Sequence, residues 1–390
     1  MKKPACSFIK VGIAFFMAMS LTGCWDKMEL NNIAIIMGIG IDKAKASNDI
    51  AITAQVANAA EMKGYATGST GPKKEKAYFN IESTGATMYS AIKNFSKKSS
   101  RKLFFSQNQI IVIGKEIAEE GLGKYIDFFT RDGETRLLVW VLISDKSANE
   151  VLNVDSDFES IPARSIKELI LQQQYNSEAP MVDLQKFSGK LMSKTTDPIL
   201  PIIRISMEGN KRLFSLSGAG VLKKDKLIGE MNRLETRGLL WATGQVKKGN
   251  IVINDPESKD KVSLKITRAS GKIVPVIKDG EIRMKIIIKE EGNLGDQSST
   301  NDLSNPKAIE SLEKEKAYTI KSEVMLALNK AKALDADVFG FGEAIYKKYP
   351  DKWKTMEENW EETFKNIAVD VVVEAKIRRT GRITKPILTK

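Results

Sequence analysis

Apolar residues fall along this chain in two alternating rhythms. Short runs of strand length, at 33–42, 50–56, 78–81, 103–105, 110–113 and 137–143, are separated by stretches in which apolar positions recur every three or four residues. The run 33–42 ends in a turn, and 50–56 reads as its hairpin partner. After 78–81, Ser83 or Thr84 stands where it would cap a helix in which Met88, Ile92 and Phe95 recur at i, i+4 and i+7. A helix over 115–130 turns Ile117, Leu122, Tyr125, Ile126 and Phe129 to one side, and 137–143 has the unbroken apolar content of a fully buried strand. This alternation from 80 to 153 predicts an α/β sandwich. Two helices follow within 162–195, with stripes of Ile166, Leu169 and Ile170, then of Leu184, Phe187 and Leu191. The glutamine run 172–174 sits at a helix end. Pro198 and Pro201 bound a strand over 199–205.

The second half changes rhythm. Strands are expected over 213–222, with Gly218 and Gly220, and over 227–230, then a helix over 232–241 with Leu234, Leu239 and Leu240 apolar. Four strands follow at 251–253, 262–267, 272–277 and 281–289, the last two joined by Asp279-Gly280, a strong hairpin signal. A polar loop spans 292–305. The helix 307–334 repeats Ala317, Ile320, Val324, Leu328, Ala331 and Leu334 near a 3.6 period. A second helix, 336–349, stops before Pro350, a third carries Trp353 and Trp360, and 367–377 alternates as a last strand. Strands followed by helices and one more strand make this half α+β. No internal repeat is present. The whole is therefore read as α+β, a multi-domain chain of mixed α/β modules with central sheets flanked by helices.

The run 11–21 belongs to neither rhythm. Lys2, Lys3 and Lys10 lie before or at the edge of it, the layout of a secretory signal peptide. At about eleven residues it is too short to span a hydrocarbon layer of roughly 30 Å. It closes on Leu21-Thr22-Gly23-Cys24, which resembles the lipobox of bacterial lipoproteins. The resemblance implies that a diacylglyceryl group is joined to the Cys24 sulfur and that the chain is cut before Cys24, with 1–23 removed. No later stretch is apolar for the about eighteen residues a membrane span needs, so nearly all of the polypeptide is expected outside the cytoplasmic membrane, tethered by lipid and separated from its first strand by a very short spacer.

Composition then narrows the chemistry. The 390 residues exceed one ordinary core, and 42% hydrophobic with 28% charged residues is a globular balance. There is no histidine, and of the two cysteines Cys6 leaves with the signal peptide and Cys24 carries lipid. Ser-His and Cys-His nucleophiles and Cys/His zinc sites are thereby excluded. No catalytic, cofactor-binding or metal-ligating residue is assigned. The net charge of +12 falls to about +9 without Lys2, Lys3 and Lys10. Nucleic acid is the usual partner of such a charge, but an exported, tethered chain rarely meets it, and anionic headgroups or wall polymers fit better. The basic stretch Lys93, Lys97, Lys98, Arg101 and Lys102 reads either as cations favouring a helix C-terminus or as a membrane-facing patch.

Other motifs carry less. Gly38-Ile39-Gly40 lacks the third glycine of a dinucleotide loop, Lys43 standing there, and a strand rather than a helix follows; close backbone approach within a sheet explains it better. Asp155-Ser-Asp157 and Asp335-Ala-Asp337 do not continue as calcium loops. Glu357, Glu358, Glu361 and Glu362 beside Trp353 and Trp360 have the residue types of a sugar cleft, but their spacing is that of a helix's solvated face.

Three segments carry a resemblance. Cys24 is followed by Trp25-Asp26, Glu29-Leu30, Ala34 and Gly38-Ile39-Gly40-Ile41-Asp42; Arg131-Asp132-Gly133-Glu134-Thr135-Arg136 precedes the run 137–143; and Leu213-Phe214, Gly218, Gly220, Leu227-Ile228-Gly229 lead to Glu235-Thr236-Arg237-Gly238-Leu239-Leu240-Trp241. The pattern is similar to the Ger(x)C family of spore germination lipoproteins. It implies a lipoprotein subunit of a nutrient germinant receptor in the inner membrane of dormant endospores of Gram-positive bacteria. The partners implied are two integral-membrane subunits, an A-type and a transporter-like B-type. It also implies three α/β domains, two within 24–205 and one over 212–385, and no enzymatic activity. Only Cys24 carries over as a functional residue. The alternative is an exported solute-binding lipoprotein that captures a small ligand alone, though the doubling of lobes usual in such proteins is not visible.

Overall fold

The computed structural model describes residues 32–45, 47–58, 76–156 and 158–381. The signal peptide, Cys24, most of the polar stretch 57–76, and Asp157 lie outside the described residues.

Strand β1 (Ile33–Lys43) pairs antiparallel with β2 (Ile50–Ala57), which pairs with β3 (Tyr78–Gly85). On its other side β1 runs parallel to β4 (Lys102–Phe104) and, further along, to β5 (Ile110–Ile113). Then come β6 (Trp140–Ser144) and β7 (Ile199–Glu208), both parallel, and β8 (Lys211–Lys223) and β9 (Lys226–Met231), both antiparallel. The result is one nine-stranded sheet in the order β3-β2-β1-β5-β6-β7-β8-β9, with β4 beside β1. The parallel strands are buried on both faces, as their unbroken apolar sequences require.

Helices cover both faces. One core layer joins the sheet to α1 (Met88–Asn94), α2 (Lys115–Glu120), α3 (Gly123–Arg131) and, after α4 (Ala148–Leu152) and α5 (Pro162–Asn176), α6 (Leu184–Leu191). The opposite layer is built by α4 and α5. Gly38 and Gly40 let these helices close onto β1: an added Cβ would stand 2.9 Å from the Ala163 Cβ at Gly38 and 3.1 Å from the Ala148 Cβ at Gly40. The structural reading of these glycines holds.

The second sheet is β10 (Gly249–Asn254), β11 (Lys261–Lys278), β12 (Glu281–Gln297) and β13 (Val369–Arg379), in that order. The β11–β12 hairpin turns at Asp279 and Gly280, with φ of 54° and 80°, the left-handed pair an Asp-Gly turn supplies. One face packs against α7 (Arg233–Ala242) and α8 (Pro306–Ala333), and α9 (Phe341–Lys348), α10 (Pro350–Met356) and α11 (Trp360–Asn366) complete this core. Ala219 and Val221 of β8 also belong to it, although β8 is hydrogen-bonded into the first sheet. The first sheet thus runs on through β7 and β8, across the interval between 205 and 212.

Several elements differ from the sequence reading. Strand β6 begins at Trp140, leaving Leu137 and Leu138 outside the sheet, 45% and 69% exposed. The helix cap before α1 is Thr87, whose hydroxyl accepts from the Ser90 amide, rather than Ser83 or Thr84. The single helix 115–130 is two, divided where Gly121 takes φ of 123° and stops α2. Pro201 lies inside β7, next to a bulge between Pro201 and Ile203 that relieves its missing donor. The strands 262–267 and 272–277 are one, and β12 continues to Gln297 through the stretch read as loop. The helix expected over 336–349 does stop before Pro350 but spans only Phe341–Lys348, and Pro350 itself opens the next helix.

Candidate functional site: the projecting sheet edge and the cleft between the halves

The register fixes where the chain arrives from Cys24. Ile33 pairs with Lys102 and Ile35 with Phe104, whereas β5 and β6 join only from Gly38, Ile110 and Trp140. The first residues of β1 and β4 therefore project beyond the starts of their neighbours. Eight residues lie between Cys24 and Ile33, nine steps of chain that reach at most about 32 Å fully extended. The same end receives the C-terminus of α1, a 3₁₀ turn over Phe95–Lys97, and the segment after α3. Lys98 donates to the Glu82 carbonyl at 2.7 Å, Lys102 pairs with Glu134 at 2.8 Å and Arg131 with Asp127 at 2.7 Å. An open hollow of about 840 Å³ lies between α1, β4 and α3, walled by Met88, Ile92, Phe95, Leu103 and Phe128.

A larger open cleft, about 1140 Å³, separates α6 of the N-terminal half from α9 and α10 of the C-terminal half, with Phe187, Met192, Phe339, Tyr346 and Trp353 among its walls. Glu343 crosses it, accepting from Lys347 at 2.7 Å and Lys190 at 2.9 Å. These bonds, Lys347 first, hold its carboxyl down at about 2. Nearby the halves are joined by backbone and side chain. The Asp197 amide donates to the Asp337 carbonyl at 3.0 Å, and the Asp337 amide donates back to the Asp197 carboxylate at 2.8 Å. Asp337 also accepts from the amides of Gly340, Phe341 and Gly342 at 2.8–3.0 Å. Burial nevertheless pushes its carboxyl up to about 7 and raises Asp197 as well.

The acidic motifs are placed structurally. Asp155 accepts from Lys76 and Tyr78, both at 2.7 Å, tying 155 to β3. Asp335 pairs with Lys365 and does not join Asp337. Trp353 and Trp360 are buried and meet edge to face at 5.1 Å, while Glu357, Glu358 and Glu361 are exposed around them. Rings pointing inward and acids outward do not form a sugar cleft. Among the described residues no group of three or more acidic side chains is placed to hold a metal, and no helix is long and apolar enough to cross a membrane.

Inside the C-terminal half two buried ion pairs stand out. Glu323 accepts from the Arg237 guanidinium through both oxygens and from the Trp241 indole at 3.0 Å. Lys316 and Glu290 pair at 2.5 Å with both side chains fully buried, and burial raises the Glu290 carboxyl and lowers the Lys316 ammonium. In the sequence Arg237 and Trp241 stand out only within a resemblance and Asp337 only within an acidic pair that does not continue as a calcium loop, while Glu323 and Asp197 are missed. A glutamate and a lysine on the apolar stripe of α8 were the available signal.

Two family models match the chain: "Spore germination protein N-terminal domain" over residues 26–205 and "Spore germination B3/GerAC like, C-terminal" over residues 217–381. Among curated relatives, spore germination protein KC of Bacillus subtilis (strain 168) is 28% identical, covering 94% of both chains. Spore germination protein B3 of the same organism is 23% identical over 96% of this chain and 99% of its own. The crystal structure of the GerBC protein superposes with a TM-score of 0.57 at 18% identity, covering 87% of this chain and 96% of that one.

Proposed function

The chain belongs to the GerAC-like family of spore germination proteins, and from that premise we propose that it is the lipid-anchored, non-enzymatic subunit of a nutrient germinant receptor. In this reading Cys24 carries the diacylglyceryl group and 1–23 is the signal peptide. The body stands on the extracytoplasmic face of the inner spore membrane, beside an A-type and a transporter-like B-type integral-membrane subunit. The mature chain divides into 24–205, holding two α/β modules, and 212–385. The observation that carries the reading is the arrival of the chain at Ile33, at the projecting edge of the first sheet and nine residues from Cys24. A tether that short keeps the body at high effective concentration relative to its membrane neighbours.

Deleting the chain from spores is expected to abolish the response to one class of nutrient, with restoration by the wild-type copy. An unchanged response to every nutrient would reject the reading. The cleft of about 1140 Å³ favours a second reading, a solute-binding lipoprotein acting alone. Thermal shift of the purified chain with amino acids and sugars separates the two. Saturable stabilisation at germinant concentrations supports solo capture.

A further inference from the structure

Extending the reading that the chain is lipid-anchored, we infer that the tethered edge of the first sheet is a docking surface for anionic phospholipid headgroups. Lys93, Lys97, Arg101 and Arg136 are exposed there, and none makes an ion pair with a carboxylate among the described residues. The acids nearby are engaged: Asp127 with Arg131, Glu134 with Lys102, and Asp132 with the Thr135 hydroxyl at 2.8 Å. The opposite end of the same strands is different. There Lys43 is paired with Glu116 and Glu120, and Lys115 with Glu230. Positive charge is thus left unbalanced at the one end where the tether comes in.

The same end exposes apolar side chains that the sheet does not use. Tyr89 is 64% exposed, with the Lys93 ammonium 5.7 Å from its ring, and Leu137 and Leu138 protrude from the segment before β6. Cations that meet headgroups, flanked by an amphipathic aromatic and two leucines able to sit among the upper acyl carbons, are the elements of an interfacial contact. The length of chain from Cys24 to Ile33 keeps this end within about 32 Å of the lipid-bearing residue. A negatively charged surface complements it, and the anchor supplies the proximity that so few charges lack alone.

The test uses the mature chain with Cys24→Ser, so that binding does not depend on the lipid, and vesicle co-sedimentation at low salt. Vesicles of phosphatidylcholine are compared with vesicles containing phosphatidylglycerol. Preferential binding to the anionic vesicles is expected. The triple variant Lys93→Glu, Lys97→Glu, Arg101→Glu should weaken it by about tenfold or more, and Leu138→Ala should weaken it further. A control with the same change in net charge, Lys259→Glu, Lys278→Glu, Lys321→Glu, exposed on the C-terminal half, should weaken it far less. Circular dichroism confirms that each variant is folded. Absent binding to anionic vesicles, or equal loss in both triple variants, overturns the inference and leaves a protein partner as the occupant of this edge. Neither result bears on lipidation, which is decided separately by whether wild-type protein, and not Cys24→Ala, partitions with membranes.

Discussion

Arg237 and Glu323 show how single residues hold the C-terminal half together. Both are nearly inaccessible, and the Glu323 oxygens collect the guanidinium and the Trp241 indole N–H from the facing helix. Removing one partner leaves the other buried and uncompensated, so Glu323→Ala is expected to destabilise by about 3–5 kcal/mol in urea titration. Replacing both members of the neighbouring pair, Lys316→Met with Glu290→Leu, should cost far less than Glu290→Leu alone, since no unpaired charge remains. Asp337 adds a pH dependence. Its carboxyl titrates near 7 folded, against an ordinary value of 3.8, because burial disfavours the charge. Folding therefore takes up a proton between those values. The associated stability is fully present below about pH 4 and is lost as pH rises towards 7. Asp337→Asn lacks this titration, so the substitution should cost more stability at pH 5 than at pH 8.

At the scale of elements, close approach between helices depends on glycine. A Cβ at Gly238 in α7 would stand 2.0 Å from the Glu323 carbonyl oxygen in α8. Gly238→Ala is expected to push the helices apart and lower stability by about 1–3 kcal/mol in denaturant titration. Gly238 lies in a sequence segment that the family resemblance singles out, but nothing local in that segment names its neighbour. Much of the rest was legible. The alternation over 367–377 and the unbroken apolar runs of β5 and β6 identified strands, and Asp279-Gly280 identified the hairpin, because side-chain period and turn chemistry are local. Leu137 and Leu138 misled, since an apolar run does not say which of its residues the sheet will accept. The length of β11 was hidden by the small and polar stretch Arg268, Ala269, Ser270 and Gly271, and that of β12 by Gly292 and the polar residues after it. The split of α2 from α3 followed from a left-handed Gly121 packed against Asp225, a contact about a hundred residues away in sequence. The Asp197–Asp337 joint was likewise invisible, because its partners come from different halves.

For the whole molecule, the decisive arrangement is a large sheet from one end of which the start of β1 projects, with the C-terminal half carried on β8 and the Asp197–Asp337 joint. Loss of the tether should impair assembly much more than folding, because the described residues that build both cores begin after it. Cys24→Ala is expected to leave the melting temperature of the purified mature chain unchanged while membrane fractionation finds it unprocessed or released. Affinity purification of this chain from spore membranes decides whether it docks onto membrane partners. Wild-type protein should bring down an A-type and a transporter-like B-type integral-membrane subunit, and Cys24→Ala should recover much less of both. Wild-type protein recovered alone, or equal recovery with and without Cys24, would rule out docking through the anchored chain.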